Sequence, residues 1–175
     1  MKLFLLILLN TFIATLIVFV LIIIVDVSFV CSFSSIMKHH AHDITLLLTN
    51  KRDNLVHLAE LLSKSGIKLD KKKVEALNNF DLKRIEKQDG EEARAARDEL
   101  TSLNEYLLSL AGQNEIEDKN DDLQKVLSNI SELEKVYRHH LMMYNADVLG
   151  YNFWISFFPT RFIYLILKFK PKENI

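Results

Sequence analysis

Glycine and proline are scarce in this chain: four glycines and two prolines in 175 residues. Turn-rich β folds and Gly-rich phosphate loops need more of them, so the scarcity argues for long helices and leaves no phosphate-cradling loop anywhere. Cysteine is nearly absent as well. The single Cys31 cannot form an internal disulfide and says little about compartment. The stretch Ser28-Phe29-Val30-Cys31 is a poor lipid-attachment signal, because two large residues stand where small ones are needed. A net charge of −1 gives no basic surplus for nucleic acid. Charge of either sign is missing altogether from Leu3 to Val25.

That uncharged run, LFLLILLNTFIATLIVFVLIIIV, has only Asn10, Thr11 and Thr15 as polar breaks. A helix needs roughly 20 apolar residues to cross the hydrocarbon core, and a signal-peptide core is shorter and ends at a small-residue cleavage site. The run therefore reads as an uncleaved transmembrane helix, with residues 1–30 as an anchor and the lipid bilayer as partner through residues 3–25. Lys2 precedes the run, Asp26 follows it, and the next positive charge is Lys38. The positive-inside rule then places the N-terminus in the cytoplasm and the rest outside it.

Beyond the anchor, Gly66, Gly90 and Gly112 fall where helices should end. The first segment, about 34–64, repeats apolar residues at Ile44, Leu48, Leu55, Leu58 and Leu62; the second, about 70–87, at Val74, Leu77, Phe80, Leu82 and Ile85; the third, about 91–111, at Ala95, Leu100, Leu103, Leu107 and Leu110. In the fourth, the series Leu123, Leu127, Ile130, Glu134, Tyr137, Leu141, Tyr144, Val148, Tyr151, Ile155, Phe158 advances by alternating steps of four and three. This is a coiled-coil-like heptad seam. The dipeptides Tyr144-Asn145 and Tyr151-Asn152 recur at seven because the tyrosines share a seam position, and Pro159 ends the helix. The reading is all-α: an antiparallel up-and-down four-helix bundle over residues 34–172, behind an N-terminal transmembrane helix.

The polar residues on this frame read mainly as structural. Asn145 and Asn152 flank the seam as amides that need partners and can set helix register. No Ser-His-Asp or Cys-His set surrounds them, so no catalytic site and no small-molecule substrate is indicated. Lys51-Arg52-Asp53-Asn54 puts charge into an apolar helix. Lys51 and Asp53 read as a solvated face, whereas Arg52 is expected opposite Glu134, the one charge in the seam. Histidines cluster at His39, His40 and His42 and at His139 and His140. His39 and His42, with Asp43 adjacent, have the spacing of a metal site, but a solvated face is the plainer reading, so no metal or cofactor is expected. The tail, residues 162–172, mixes aromatics with lysines and reads as a segment capping the bundle, or as an amphipathic contact with the membrane interface.

Order and spacing together resemble the LemA family of bacterial membrane proteins. After the single N-terminal membrane helix comes Arg52-Asp53-Asn54-Leu55-Val56, matching an Arg-x-Asp-Leu-Ile motif. Glu134 stands ten residues before the first Tyr-Asn, and Tyr144-Asn145, Val148, Tyr151-Asn152, Ile155, Phe158-Pro159 and Phe169-Lys170-Pro171-Lys172 follow. His57 and Leu141 stand where the family usually has Pro and Arg. The resemblance implies a four-helix bundle on a single-pass anchor in a bacterial inner membrane and no enzymatic activity. Together with the long seam it leads to the expectation of a scaffold or protein-interaction module with a protein partner. The alternative is a ligand- or metal-responsive membrane sensor.

Overall fold

The computed structural model describes residues 2–86, 91–113, 121–157 and 161–175. Six helices fill them: α1 (Lys2–Lys64), α2 (Lys71–Asn78), α3 (Lys83–Glu86), α4 (Glu91–Gln113), α5 (Asp121–Ser156) and α6 (Arg161–Ile166). Among the described residues there is no strand, as the sequence predicts.

The expected anchor and first bundle helix are one uninterrupted helix of 63 residues. The joining segment, 26–33, contains neither glycine nor proline, and the Ser28 hydroxyl donates back to the Ile24 carbonyl at 2.8 Å, so nothing there stops the helix. Gly66 stops it instead. Its φ of +83° is the left-handed conformation that glycine reaches without a Cβ penalty. Gly66 N donates to Ser63 O at 3.1 Å and Ile67 N to Leu62 O at 3.1 Å, which satisfies two terminal carbonyls in a Schellman motif.

The second expected helix is in two pieces. Asp70 caps α2 by accepting from Lys72 N at 2.9 Å. After Asn78 the helix closes, and Asp81 starts a new turn by accepting from Lys83 N at 3.0 Å. The break lets Phe80 and Ile85 both reach the core. Gly112 does not end a helix; it lies inside α4 with open space where a Cβ would point. Gly90, expected at a helix end, Phe158, expected as the last seam residue, and Pro159, expected to stop the helix, lie outside the described residues.

Packing groups the chain into two compact units, Met1–Lys38 with Ala146–Asn174, and His39–Asn145 with Ile175. The division falls inside α1 and α5. Residues 29–37 are the reason. Val30 and Met37 are buried, and the ring of Phe29 stacks on Trp154 at 5.2 Å. In the same first unit Val148, Tyr151, Ile155 and Tyr164 are buried. Gly150 leaves room for Phe33, whose ring would stand 2.9 Å from an added Cβ.

In the second unit, Ile44, Leu48, Leu55, Leu58 and Leu62 of α1 are all buried, as their spacing predicts. Each contributes about 1.5–3 kcal/mol of transfer free energy. Leu100, Leu103 and Leu107 of α4 join them, but Ala95 is exposed; Ala93 and Ala96 take the core face, because α2 and α3 pack on that side of α4. Arg84 pairs with Glu99 at 2.8 Å, and Asp70 N donates to the Tyr106 hydroxyl at 2.8 Å. Along α5 every described seam residue is buried or half-buried, and Leu123, Ile130, Tyr144, Val148, Tyr151 and Ile155 are the most enclosed.

Leu3 to Val25 is different. All its side chains but Ile23 are exposed: Leu3 is 74% exposed, Phe4 70% and Leu16 52%. α1 is the one described helix long and apolar enough to cross a membrane, and it lies near the N-terminus.

Candidate functional site

Polar groups gather at a charged pair in the second unit, at one Tyr-Asn dipeptide in each unit, and at a histidine group in the second unit. The first is the charged position of the seam. Lys51 Nζ, on a residue only 3% exposed, donates to Glu134 Oε2 at 2.7 Å. Arg138 Nε donates to Glu134 Oε1 at 3.1 Å, and the Tyr137 ring centroid lies 5.9 Å from Lys51 Nζ. Burial pulls the Glu134 carboxyl upward, but the hydrogen bonds and charges of Lys51 and Arg138 outweigh it and hold the group below its ordinary value of 4.5. Burial likewise pushes the Tyr137 hydroxyl up, with Arg97 opposing. A cleft of about 570 Å³ opens beside the pair, lined among others by Asn104, Ile130 and Ser131. Asn104 is 8% exposed, and its Oδ1 has no hydrogen-bond partner among the described residues.

The expected partner of Glu134 was Arg52, and the structure corrects this. Arg52 bonds its neighbour Asp53 at 2.8 Å and the Asn78 carbonyl at 3.0 Å, tying α1 to the end of α2. Lys51 was taken as solvated and is the buried partner. The signal was present: Leu48, Lys51, Leu55, Leu58 and Leu62 continue the three-and-four spacing, so Lys51 occupies the seam and Arg52 flanks it. Asn54 has only a local role, donating to the Asn50 carbonyl at 2.8 Å.

The second place is the pair of Tyr-Asn dipeptides. Tyr144 and Tyr151 are 4% and 3% exposed. Burial raises the Tyr151 hydroxyl, with Cys31 adding to it. The amides do something the sequence did not predict. Asn152 Nδ2 donates to Lys172 O at 2.8 Å, and Lys172 N donates to Asn152 Oδ1 at 2.8 Å. In the second unit, Asn145 Nδ2 donates to Ile175 O at 3.1 Å, and Ile175 N donates to Asn145 Oδ1 at 3.0 Å. Each amide therefore closes a two-bond ring with one main-chain residue of the tail. In the first unit Asp26 and Tyr164 are buried, and among the described residues Asp26 Oδ2 and the Tyr164 hydroxyl oxygen have no hydrogen-bond partner. Burial, with Asp26 and Cys31 adding to it, pushes the Tyr164 hydroxyl up to about 12.

The third place is histidine-rich, but His42 and His139 are exposed and His39 only approaches Asp43, at 3.8 Å. The convergent group is His40, Asp43 and His140, all half-buried, with Nδ1 of His40 3.3 Å from Nδ1 of His140, and the latter 3.5 Å from Asp43 Oδ2. Residues 40 and 43 are one helical turn apart on α1, so both face α5. Sequence spacing favoured His39 and His42 because it sees one helix at a time; His140 enters from another.

Together these features define an all-helical protein with one helix able to span a membrane. No family model, curated protein or solved structure matches the chain.

Proposed function

We propose that the protein is a non-enzymatic, single-pass membrane protein of the LemA type, whose helices form an antiparallel four-helix bundle that is displayed to a protein partner. The observation that carries the anchor is the outward-facing apolar surface of residues 3–25, which water would leave at a cost of about 25 cal/mol per Å² and lipid would cover. The Arg52-to-Val56 motif and the Tyr-Asn repeats carry the family reading. For a partner, the support is a pair of exposed apolar side chains on α5 in the first unit. Leu149 and Phe153 are 64% and 61% exposed and lie four residues, one helical turn, apart. The membrane is the bacterial inner membrane on this reading, with the helical part outside the cytoplasm.

Photocrosslinking in intact cells tests it. A benzophenone amino acid at Leu149 should trap a defined protein, and the same probe at exposed Glu105 should not. Adducts to lipid alone, or equal adducts from both sites, would rule out the interaction reading. A metal-responsive role is the second reading, favoured by the grouping of His40, Asp43 and His140.

A further inference from the structure

We propose that His40, Asp43 and His140 bind one divalent transition-metal ion of the zinc class, held between α1 and α5. The inference does not depend on a protein partner or on membrane orientation.

The ligand chemistry comes first. Two imidazoles and one carboxylate suit zinc, cobalt or ferrous ions, whereas calcium and magnesium prefer oxygen alone. The donor spacing is more specific. In a tetrahedral site with metal–nitrogen bonds of about 2.0–2.1 Å, neighbouring donor atoms lie about 3.3–3.4 Å apart. The observed Nδ1–Nδ1 separation is 3.3 Å and the Nδ1–Oδ2 separation 3.5 Å. All three donor atoms lie within 4.8 Å of one another. The rings are also inclined at 64°, so they do not stack.

The supporting geometry agrees. Each of the three side chains is half-buried, enclosed enough to be positioned yet open to an ion. Three protein ligands leave the fourth tetrahedral position for water, the arrangement of an open rather than a closed zinc site. Because the ligands come from two helices, bound metal would tie α1 to α5.

The experiment uses the full chain in detergent without a polyhistidine tag, stripped with chelator and titrated with Zn²⁺ by calorimetry and with Co²⁺ by visible absorption. One equivalent should bind, with a tetrahedral Co²⁺ spectrum and a rise in melting temperature on adding Zn²⁺. His140→Ala and Asp43→Asn should each weaken binding at least about tenfold, while His42→Ala leaves it unchanged. Circular dichroism verifies that each variant is helical, and the near-isosteric Asp43→Asn decides the matter if His140→Ala fails to fold. Absence of binding, or unaltered affinity in a folded Asp43→Asn or His140→Ala variant, overturns the site.

Discussion

Lys51 reaches Glu134 at 2.7 Å from a position almost closed to water, and the two are the charged members of otherwise apolar rows on α1 and α5. Both charges are needed where they stand. Removing one partner of such a pair strands the other, at a cost of about 3 kcal/mol or more, while removing both can be nearly neutral. Glu134→Gln alone should therefore lower the melting temperature strongly, and Lys51→Met combined with Glu134→Gln should recover most of the loss. Arg138→Ala, removing a partner whose side chain is 75% exposed, should cost under about 1 kcal/mol. Thermal melts of these variants and of Lys51→Met alone measure this, and a double-variant loss equal to the sum of the two single losses would show that the pair is not coupled.

The same carboxylate predicts a pH dependence. Its folded-state pKa lies below its ordinary 4.5, so its contribution is present above pH 4.5 and is lost as pH falls through the folded value. Melting temperature should drop as the pH is lowered from about 5 to about 3, and Glu134→Gln should flatten that drop. An identical acid profile in the variant would assign the loss to other carboxylates.

Gly150 and Phe33 give a packing prediction in the first unit. Glycine inside a helix is less favourable than alanine by about 1 kcal/mol, so Gly150→Ala would stabilise α5 if space allowed. The Phe33 ring occupies that space. Gly150→Ala should therefore bring no gain in the native background and a gain of about 1 kcal/mol beside Phe33→Ala. A melting temperature raised by Gly150→Ala alone would mean that the ring moves aside freely.

The anchor prediction depends on where the chain is cut. A chain beginning at Asp26 keeps Phe29, Val30, Phe33 and Met37 and should be soluble and helical. One beginning at His39 loses the α1 side of the first unit and uncovers Tyr151 and Ile155. Ultracentrifugation and circular dichroism should find the longer form in the supernatant and the shorter one aggregated. The full chain should resist carbonate extraction from membranes; its release would remove the anchor. A C-terminal alkaline phosphatase fusion should be active, and inactivity would reverse the orientation that Lys2 suggests.

Much of this was legible before any coordinates. The burial of Leu55, Leu58 and Leu62, and of Tyr144, Val148 and Tyr151, follows from helical periodicity, because the side of a helix that meets a core repeats at a fixed angle. The choice between Lys51 and Arg52 was also in the spacing; it was missed because charge was given more weight than position. Other features were hidden for a physical reason. The break at 79–82 depends on Phe80 and Ile85 competing for one core, and the meeting of His40 with His140 joins residues a hundred positions apart. Neither is encoded by local pattern.

The two asparagine rings have a consequence for what the tail can be. Asn152 holds Lys172, and Asn145 holds Ile175, through main-chain N–H and C=O groups. Each ring needs a main-chain donor as well as an acceptor. Proline has no N–H, so at either position it would break one bond of a ring, while Pro171, one place earlier, stiffens the approach without costing a donor. Lys172→Pro should therefore open the Asn152 ring at its main-chain donor, and a lowered melting temperature would record the loss.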